Sequence, residues 1–154
     1  MSTVYLGLGS NLGDKHTYIN KALAHLTERV GEIRALSGFY ETEPWGYDSQ
    51  ETYQNVAVAI QTDLKPAALL AVIQAIERDI GRNQKTTNGI YRDRVIDIDI
   101  LLYDDLILQT QPLTIPHPLM HQRSFVLHPL NEIAPHIIHP ILQKTIAELS
   151  PTTP

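Results

Sequence analysis

Two aspartates stand inside a run of residues that otherwise predicts a buried β-strand. The run is RVIDIDILLY, residues 94–103, and Asp97 and Asp99 are two positions apart in it. Since successive side chains of a strand point to opposite faces, both carboxylates share one face, roughly 7 Å apart at the usual rise. Aspartate is depleted in strands and adjacent like charges repel, so the pair needs a reason.

A divalent cation supplies that reason, because a cation bound between the carboxylates removes their repulsion. A few hard oxygen ligands suit Mg²⁺, which usually takes one or two carboxylates together with substrate phosphates. The alternative is an open sheet face with polar residues, which antiparallel sheets often have. We favour the metal site.

A basic segment directly precedes the aspartates. Between residues 82 and 94 the bases Arg82, Lys85, Arg92 and Arg94 outnumber the single acid Asp93. Phosphoryl transfer depends on charge stabilisation by Arg, Lys and metal, so this segment fits a phosphate-bearing substrate. The formal net charge of −5 argues against nucleic acid as the partner. Taken alone, the segment could also be a solvated loop.

The glycines of GLGSNLG, residues 7–13, resemble a phosphate-binding loop at a helix N-terminus. The segment matches neither G-x-G-x-x-G nor the lysine-containing P-loop pattern. A tight turn into a helix capped by Asp14 explains these glycines as well, and we favour that interpretation.

His-Pro pairs recur every eleven residues, at His117, His128 and His139. They suggest a three-histidine metal site, but nothing in the sequence brings three such loops together, and we do not favour it. His117 is the stronger individual candidate, because Arg123 follows six residues later in a polar segment and an imidazole there could donate to a phosphate.

Two aromatic residues stand near polar candidates: Tyr53 close to Asn55, and Phe125 close to Arg123. Two aromatic rings can sandwich a flat heterocycle, although packing in the core is the default for any single aromatic side chain.

The chain has 154 residues and no cysteine, and we expect one domain over residues 1–154 without a disulfide framework or thiolate zinc site. No secretory signal pattern and no apolar run of about 20 residues are present. We therefore expect a monomer in the cytoplasm that does not bind membranes.

Hydrophobic periodicity predicts the order β-α-β-β-α-β with a proline-rich C-terminal extension. This is the pattern of a ferredoxin-like α+β sandwich, a mainly antiparallel sheet with helices packed on it. The predicted strands are 4–8, 33–40 (with a bulge or close approach at Gly38), 56–62 and 94–103, and the predicted helices are 14–30, 66–80, 125–133 and 142–149. Residues 106–108 are expected to form a hairpin with the aspartate strand.

Regular alternation along that strand predicts which side chains share a face. One face carries Arg94, Ile96, Ile98, Ile100 and Leu102; it is mostly apolar and should face the helices. Val95, Asp97, Asp99, Leu101 and Tyr103 should line the other face.

Six stretches together resemble the 6-hydroxymethyl-7,8-dihydropterin pyrophosphokinase family of folate biosynthesis. In chain order they are GLGSNLGD, FYETEPWG, YQNVAV, IERDIGR, RVIDIDILLY and IPHPLMHQRSFVLHPLNEIAP. The resemblance runs from Gly7 to Pro135, and its last two stretches are the most specific. It implies transfer of pyrophosphate from ATP to the pterin hydroxymethyl group, with release of AMP.

The resemblance also implies roles for individual residues. Two Mg²⁺ ions would bind Asp97 and Asp99, and Arg82 and Arg94 would join them in catalysis. The residues implied for ATP are Gln74, Glu77, Arg82, Arg94, Ile100, Thr114, His117 and Arg123. The residues implied for the pterin are Thr42, Pro44, Trp45, Gly46, Tyr53, Asn55 and Phe125.

The chain departs from the family pattern before the metal strand, where NGIYRDR replaces the familiar RWGPR and Tyr91 could stand for the tryptophan. We interpret this polar segment as a lid over the site. Two other classes fit parts of the sequence: a magnesium-dependent nucleotidyl transferase on a ferredoxin-like palm, which would release pyrophosphate, and a non-catalytic binding module, which leaves the aspartate pair unexplained.

Overall fold

In the described residues, one strand, one helix, three strands and a second helix succeed one another through residue 81, and a fifth strand then leads into short C-terminal elements. The structure is a computed structural model that describes residues 1–42, 52–81 and 95–150. Its strands are β1 (Ser2–Ser10), β2 (Gly31–Leu36), β3 (Tyr40–Thr42), β4 (Tyr53–Thr62), β5 (Asp97–Tyr103), β6 (Leu108–Gln109) and β7 (Thr114–Ile115). Its helices are α1 (Lys15–Arg29), α2 (Pro66–Gly81), a 3₁₀ turn (Met120–Gln122), α3 (Ser124–Ile133) and α4 (Ile146–Leu149).

The two long helices begin where the sequence predicts. The Asp14 side chain accepts a hydrogen bond from the Thr17 N–H at 3.2 Å and so caps α1. Pro66 opens α2, where its fixed φ suits the first turn and its missing N–H leaves no helical bond unmade. Both helices bury one apolar stripe against the sheet. No helix within the described ranges is long and apolar enough to cross a membrane.

The main sheet is antiparallel, with strand order β2-β4-β1-β5 and β3 paired to the end of β4. This order confirms the predicted ferredoxin-like sandwich. One face of the sheet packs under α1 and α2 in a core that includes Leu6, Ile60, Leu26, Ile73 and Ile76. The opposite face carries a second cluster with α3 and the 3₁₀ turn: Ala57, Leu101, Leu102, Met120, Val126, Leu130, Ala134 and Ile146.

A β-bulge at Leu101 overturns part of the predicted face assignment. Tyr5 pairs with Leu102 and Leu6 pairs with Ile100, so Leu101 has no partner on β1. The extra residue reverses the alternation that follows it. Leu102 therefore packs in the second cluster instead of with Ile98 and Ile100, and Tyr103 packs under the helices instead of sharing the aspartate face.

The predicted hairpin between residues 106–108 and β5 is wrong. Instead, β6 pairs with β7, Leu108 opposite Ile115. The outer edge of β5 has other partners, which explains the difference: the Ile98 N–H donates to the Glu77 carboxylate, and the Leu101 carbonyl accepts from the His117 N–H.

The predicted strand 33–40 is interrupted at residues 37–39, which separates β2 from β3. The Ser37 hydroxyl oxygen accepts a hydrogen bond from the Ala57 N–H at 2.9 Å, in place of a strand carbonyl. Gly38 lies in this break, as the sequence indicated, and its N–H turns toward the Glu132 carboxylate. The β strands predicted at 4–8, 56–62 and 94–103 are found with shifted ends, and the predicted helix 142–149 forms only as α4.

Replacing Gly31 by alanine tests the closest backbone contact in the sheet. A Cβ at this position would lie 1.9 Å from the Gln61 carbonyl oxygen, so β2 and β4 must separate locally. We expect a loss of about 2 kcal/mol or more in the free energy of unfolding and a fall of about 5 °C in Tm.

Gly81→Ala is the matched control, because its Cβ would make only an ordinary contact, 3.9 Å from the Val95 Cβ. That variant should be neutral or slightly more stable, as expected for alanine in a helix. Equal Tm values for the two variants in a thermal melt would contradict the register of β2.

Candidate functional site

The two aspartates lie in rows of residues that cross the sheet. Asp97 is opposite Gly9, which is opposite Asn55 on the next strand. In the same way Asp99 is opposite Gly7, which is opposite Ala57. Because residues directly opposite in antiparallel strands point to the same face, both carboxylates share a face with the Asn55 amide. It is the face that carries the second cluster and α3.

Gly7 and Gly9 lie within β1, so they belong neither to a phosphate-binding loop nor to a tight turn. Within residues 7–13, Gly13 is the glycine in a left-handed turn conformation, with a φ of 63°. A Cβ on Gly9 would lie 2.9 Å from Asn55 Oδ1 and 3.4 Å from Tyr53 Cδ1. The missing side chain therefore lets the Asn55 and Tyr53 side chains lie close over β1, beside the aspartates. Glycine at alternate positions of a strand was the sequence signal for this close approach.

Asn55 is almost fully buried, at 6% exposure, and its amide orientation is fixed. Its Nδ2 donates to Thr42 Oγ1 at 2.7 Å, across the pair formed by β3 and β4. Thr42 itself is opposite Tyr53. The structure thus brings together three of the residues that the resemblance implies for the pterin: Thr42, Tyr53 and Asn55.

His117 is held at the bulge of β5. Its backbone N–H donates to the Leu101 carbonyl at 3.0 Å, so the bulged residue fixes the start of the next polar segment. Its ring Nδ1 accepts from the Leu119 N–H at 3.2 Å, and the neutral ring therefore carries its proton on Nε2. Burial lowers the pKa of His117; the nearby Asp99 charge opposes this and the Arg123 charge adds to it. The ring is thus neutral at pH 7 and within electrostatic reach of both residues.

Arg123 and Phe125 stand at the beginning of α3. The Arg123 guanidinium carbon lies 5.5 Å from the centroid of the Phe125 ring, a cation–π geometry. Both side chains are half-buried, and Phe125 packs against the second cluster. A cation and an aromatic face are thus presented together on the aspartate side of the sheet.

Glu77 supports the aspartate strand from α2. Its Oε2 accepts from the Ile98 N–H at 2.8 Å, and Ile98 is the residue between the two aspartates. Gln74 lies exposed one turn earlier on α2, and Thr114 is half-buried at the start of β7. The Ile100 side chain is buried in the first core, so a nucleotide could meet only its backbone.

Several predicted site residues lie outside the described ranges. They are Pro44, Trp45, Gly46, Arg82 and Arg94, together with Tyr91 and the proposed lid at 82–93. Of the repeated histidines, His139 packs edge-on against His121, with ring centroids 6.3 Å apart. Across residues 1–42, 52–81 and 95–150 no three His, Cys, Asp or Glu side chains form a group able to hold a metal.

Known proteins place the chain in the class of pyrophosphokinases. The model of the family described as 7,8-dihydro-6-hydroxymethylpterin-pyrophosphokinase (HPPK) matches residues 5–135. The chain belongs to this family, as the six sequence stretches predicted.

Two curated relatives extend the match over nearly the whole chain. Both bear the name 2-amino-4-hydroxy-6-hydroxymethyldihydropteridine pyrophosphokinase. The protein from Porphyromonas gingivalis is 51% identical over 141 residues, covering 91% of this chain and 95% of its own. The protein from Aquifex aeolicus is 44% identical over 151 residues, covering 98% of this chain and 92% of its own.

The fold is also similar to that of a solved structure, the wild-type HPPK-DHPS of Plasmodium falciparum with pteroate. The TM-score is 0.76 at 18% identity, and the match covers 96% of this chain. This chain spans 43% of that longer protein. At this identity the likeness concerns the fold alone.

Gly9→Ala tests the packing of Asn55 and Tyr53 over β1. The added Cβ forces the Asn55 amide or the Tyr53 ring to move, because 2.9 Å from Oδ1 is too close for a Cβ. We expect the Asn55 side-chain amide resonances to shift in a ¹⁵N-edited NMR spectrum.

Gly7→Ala is the control, since its Cβ would make an ordinary 3.5 Å contact with the Leu101 side chain. Those resonances should stay in place in this variant. A Gly9→Ala spectrum that matches wild type at Asn55 would show that the two side chains do not lie over Gly9.

Proposed function

We propose that Asp97 and Asp99 hold two Mg²⁺ ions, which carry the phosphates of ATP, and that Asn55, Tyr53 and Phe125 hold the pterin on the same face. The chain is a pyrophosphokinase of folate biosynthesis: it transfers pyrophosphate from ATP to the hydroxymethyl group of 6-hydroxymethyl-7,8-dihydropterin, giving the dihydropterin pyrophosphate and AMP. The observation that carries the proposal is the row Asp97–Gly9–Asn55, which joins the two substrate sides across β1.

The residues present fit magnesium. Asp97 and Asp99 supply hard carboxylate oxygens on one half-exposed face of β5. The His117 Nδ1 already accepts a backbone hydrogen bond, so the nearest imidazole does not offer that nitrogen to a metal. Bound Mg²⁺ would offset the charge of the phosphates and lower the pKa of the substrate hydroxyl.

The reaction is an in-line displacement at the β-phosphorus of ATP. The pterin hydroxyl oxygen forms the new bond to that phosphorus, the bond from it to the oxygen bridging the α-phosphate breaks, and AMP leaves with the electron pair. Asp97 is the nearest proposed acceptor for the hydroxyl proton, and a water is the alternative. His117 Nε2–H and the Arg123 guanidinium are proposed to donate to phosphate oxygens, where charge develops; the bond from the Leu119 N–H to His117 Nδ1 supports this for the imidazole.

Nucleotide contacts are proposed for Gln74, Glu77 and Thr114, with Arg82 and Arg94 completing the phosphate set from outside the described residues. For Glu77 the bond to the Ile98 N–H supports a further task, since it fixes the backbone between the two aspartates. Glu77 can therefore act by holding the metal ligands in register as well as by bordering the nucleotide.

On the pterin side, the aromatic rings of Tyr53 and Phe125 are proposed to stack on the heterocycle. The Asn55 amide, oriented by Thr42, would hydrogen-bond its edge. A buried amide in a fixed orientation discriminates strongly, because a ligand without the matching groups leaves it unpaired.

Mixing the protein with ATP, Mg²⁺ and hydroxymethyl-dihydropterin should release AMP in equal amount to the pterin pyrophosphate formed. Chromatography of the nucleotides measures it, and a reaction without the pterin is the control. Release of inorganic pyrophosphate would instead indicate a nucleotidyl transferase. If the protein is folded and no AMP appears, the proposed reaction is wrong.

Asp97→Ala and Asp99→Ala should each abolish turnover and leave Tm in the absence of magnesium unchanged or higher, because each removes one of two repelling carboxylates. Added Mg²⁺ with an ATP analogue should raise Tm in the wild type and not in these variants. Asp105→Ala, in the exposed turn after β5, is the matched control and should behave as wild type. A large loss of Tm in the two site variants would point to a structural role for the pair.

A further inference from the structure

Glu132 connects β3 and α3, two elements that carry proposed pterin contacts, and it has no role in the reaction proposed for this chain. It lies in the last turn of α3, and its carboxylate reaches the break between β2 and β3. Both oxygens lie 3.2 Å from the Gly38 nitrogen, which donates to them. The Tyr40 hydroxyl donates to Oε1 at 2.6 Å, the length of a strong charge-assisted bond.

Helix energetics do not explain a glutamate at this position. The C-terminal turn of a helix carries partial negative charge, so an acid there is unfavourable. Hydrogen bonding to the carboxylate also raises the pKa of Tyr40 to about 12, with smaller contributions from burial and charge, so the phenol remains a donor at neutral pH. The contacts to Gly38 and Tyr40 are therefore what the Glu132 side chain provides.

The geometry of β3 leads from Glu132 to the Asn55 amide. Tyr40 is directly opposite Asn55, and Thr42, two residues further on, shares the Tyr40 face. Thr42 accepts the bond from Asn55 Nδ2. Within the described residues, β3 spans Tyr40–Thr42 and pairs with the end of β4, so few sheet bonds are seen to hold it. Anchoring Tyr40 fixes the position of Thr42 and hence the orientation of the amide.

The Glu132 carboxylate also affects the position of Phe125, the proposed pterin contact that α3 carries. Phe125 lies seven residues before Glu132 on α3, which is about two turns, so both project from the same side of the helix. Holding Glu132 against β3 therefore fixes the rotation of the helix that presents Phe125.

We propose that Glu132 is a positioning residue for pterin recognition, one that holds β3 against α3 so that the Asn55 amide and the Phe125 ring keep their geometry. The inference rests on the proposed roles of Asn55 and Phe125. It predicts an effect mainly on the pterin side of the reaction, because Asp97, Asp99 and His117 are held by β5 and not by β3. Arg123, at the start of α3, is the proposed phosphate contact among the described residues that the rotation of this helix can also affect.

The test compares Glu132→Ala and Tyr40→Phe with Glu41→Ala in AMP-release kinetics, varying each substrate in turn. Glu41 is the matched control, because it is an exposed acid like Glu132 and its carboxylate also accepts a hydrogen bond from another element, from Gln54 Nε2 at 3.0 Å. Glu41 lies on β3, but its side chain is on the face opposite to that of Tyr40 and Thr42. Glu132→Ala should raise KM for the pterin about tenfold and Tyr40→Phe about threefold. KM for ATP and kcat should change less than twofold in both, and Glu41→Ala should match wild type.

Adding Tyr40→Phe to Glu132→Ala should change the pterin KM no further, because the two side chains act as one unit. The inference is overturned if Glu132→Ala behaves as Glu41→Ala, if its KM for the pterin and its KM for ATP rise by the same factor, or if its Tm falls while both KM values stay unchanged. Should Glu132→Ala fail to fold, Tyr40→Phe decides alone, and an unchanged pterin KM in it overturns the inference. Absence of AMP with the wild type would count against the proposed function, whereas wild-type turnover with an unchanged pterin KM in the variants counts against Glu132 only.

Discussion

Two like charges on one face of an edge strand are the constraint on which the rest of the structure depends. Asp97 and Asp99 stand side by side on β5, where repulsion and low strand propensity both disfavour them. Ile98 and Ile100 offset this, because they bury the other face of the strand in the helix-covered core. The Glu77 carboxylate holds the peptide N–H between the aspartates. The fold thus keeps an unfavourable charge pair in place on the face where a cation and phosphates are proposed to bind.

The bulge at Leu101 separates the part of β5 that carries the aspartates from the part that is buried on both faces. Before it, the strand alternates between half-buried aspartates and buried isoleucines; after it, Leu102 and Tyr103 are both buried, on opposite faces. The bulge also turns the Leu101 carbonyl to the His117 N–H, which brings the imidazole near Asp99 and Arg123. One extra residue therefore ends the polar face and attaches the histidine segment to it.

The substrate recognition proposed for this chain depends on a third layer that the ferredoxin-like core does not require. α3 covers the face opposite α1 and α2 and carries Arg123 and Phe125 at its beginning. Across the sheet, Gly9 leaves space for Asn55 and Tyr53. β5, with its two aspartates, and the proposed pterin contacts thus meet over β1, an interior strand that pairs with both β4 and β5.

The sequence by itself determined the features that are local or periodic: the helices α1 and α2 from their apolar spacing and caps, the order of the strands, the shared face of Asp97 and Asp99, and the family. Only the tertiary structure decided the bulge at Leu101, the break between β2 and β3, and the pairing of β6 with β7. The bulge and the break depend on partners distant in the chain, as Gly38 and Glu132 are 94 residues apart. β6 pairs with β7 because the outer edge of β5 already bonds to Glu77 and His117. Hydrophobic periodicity describes how the side chains of an isolated segment alternate. It carries no information about a hydrogen bond from a residue distant in the chain that interrupts the alternation.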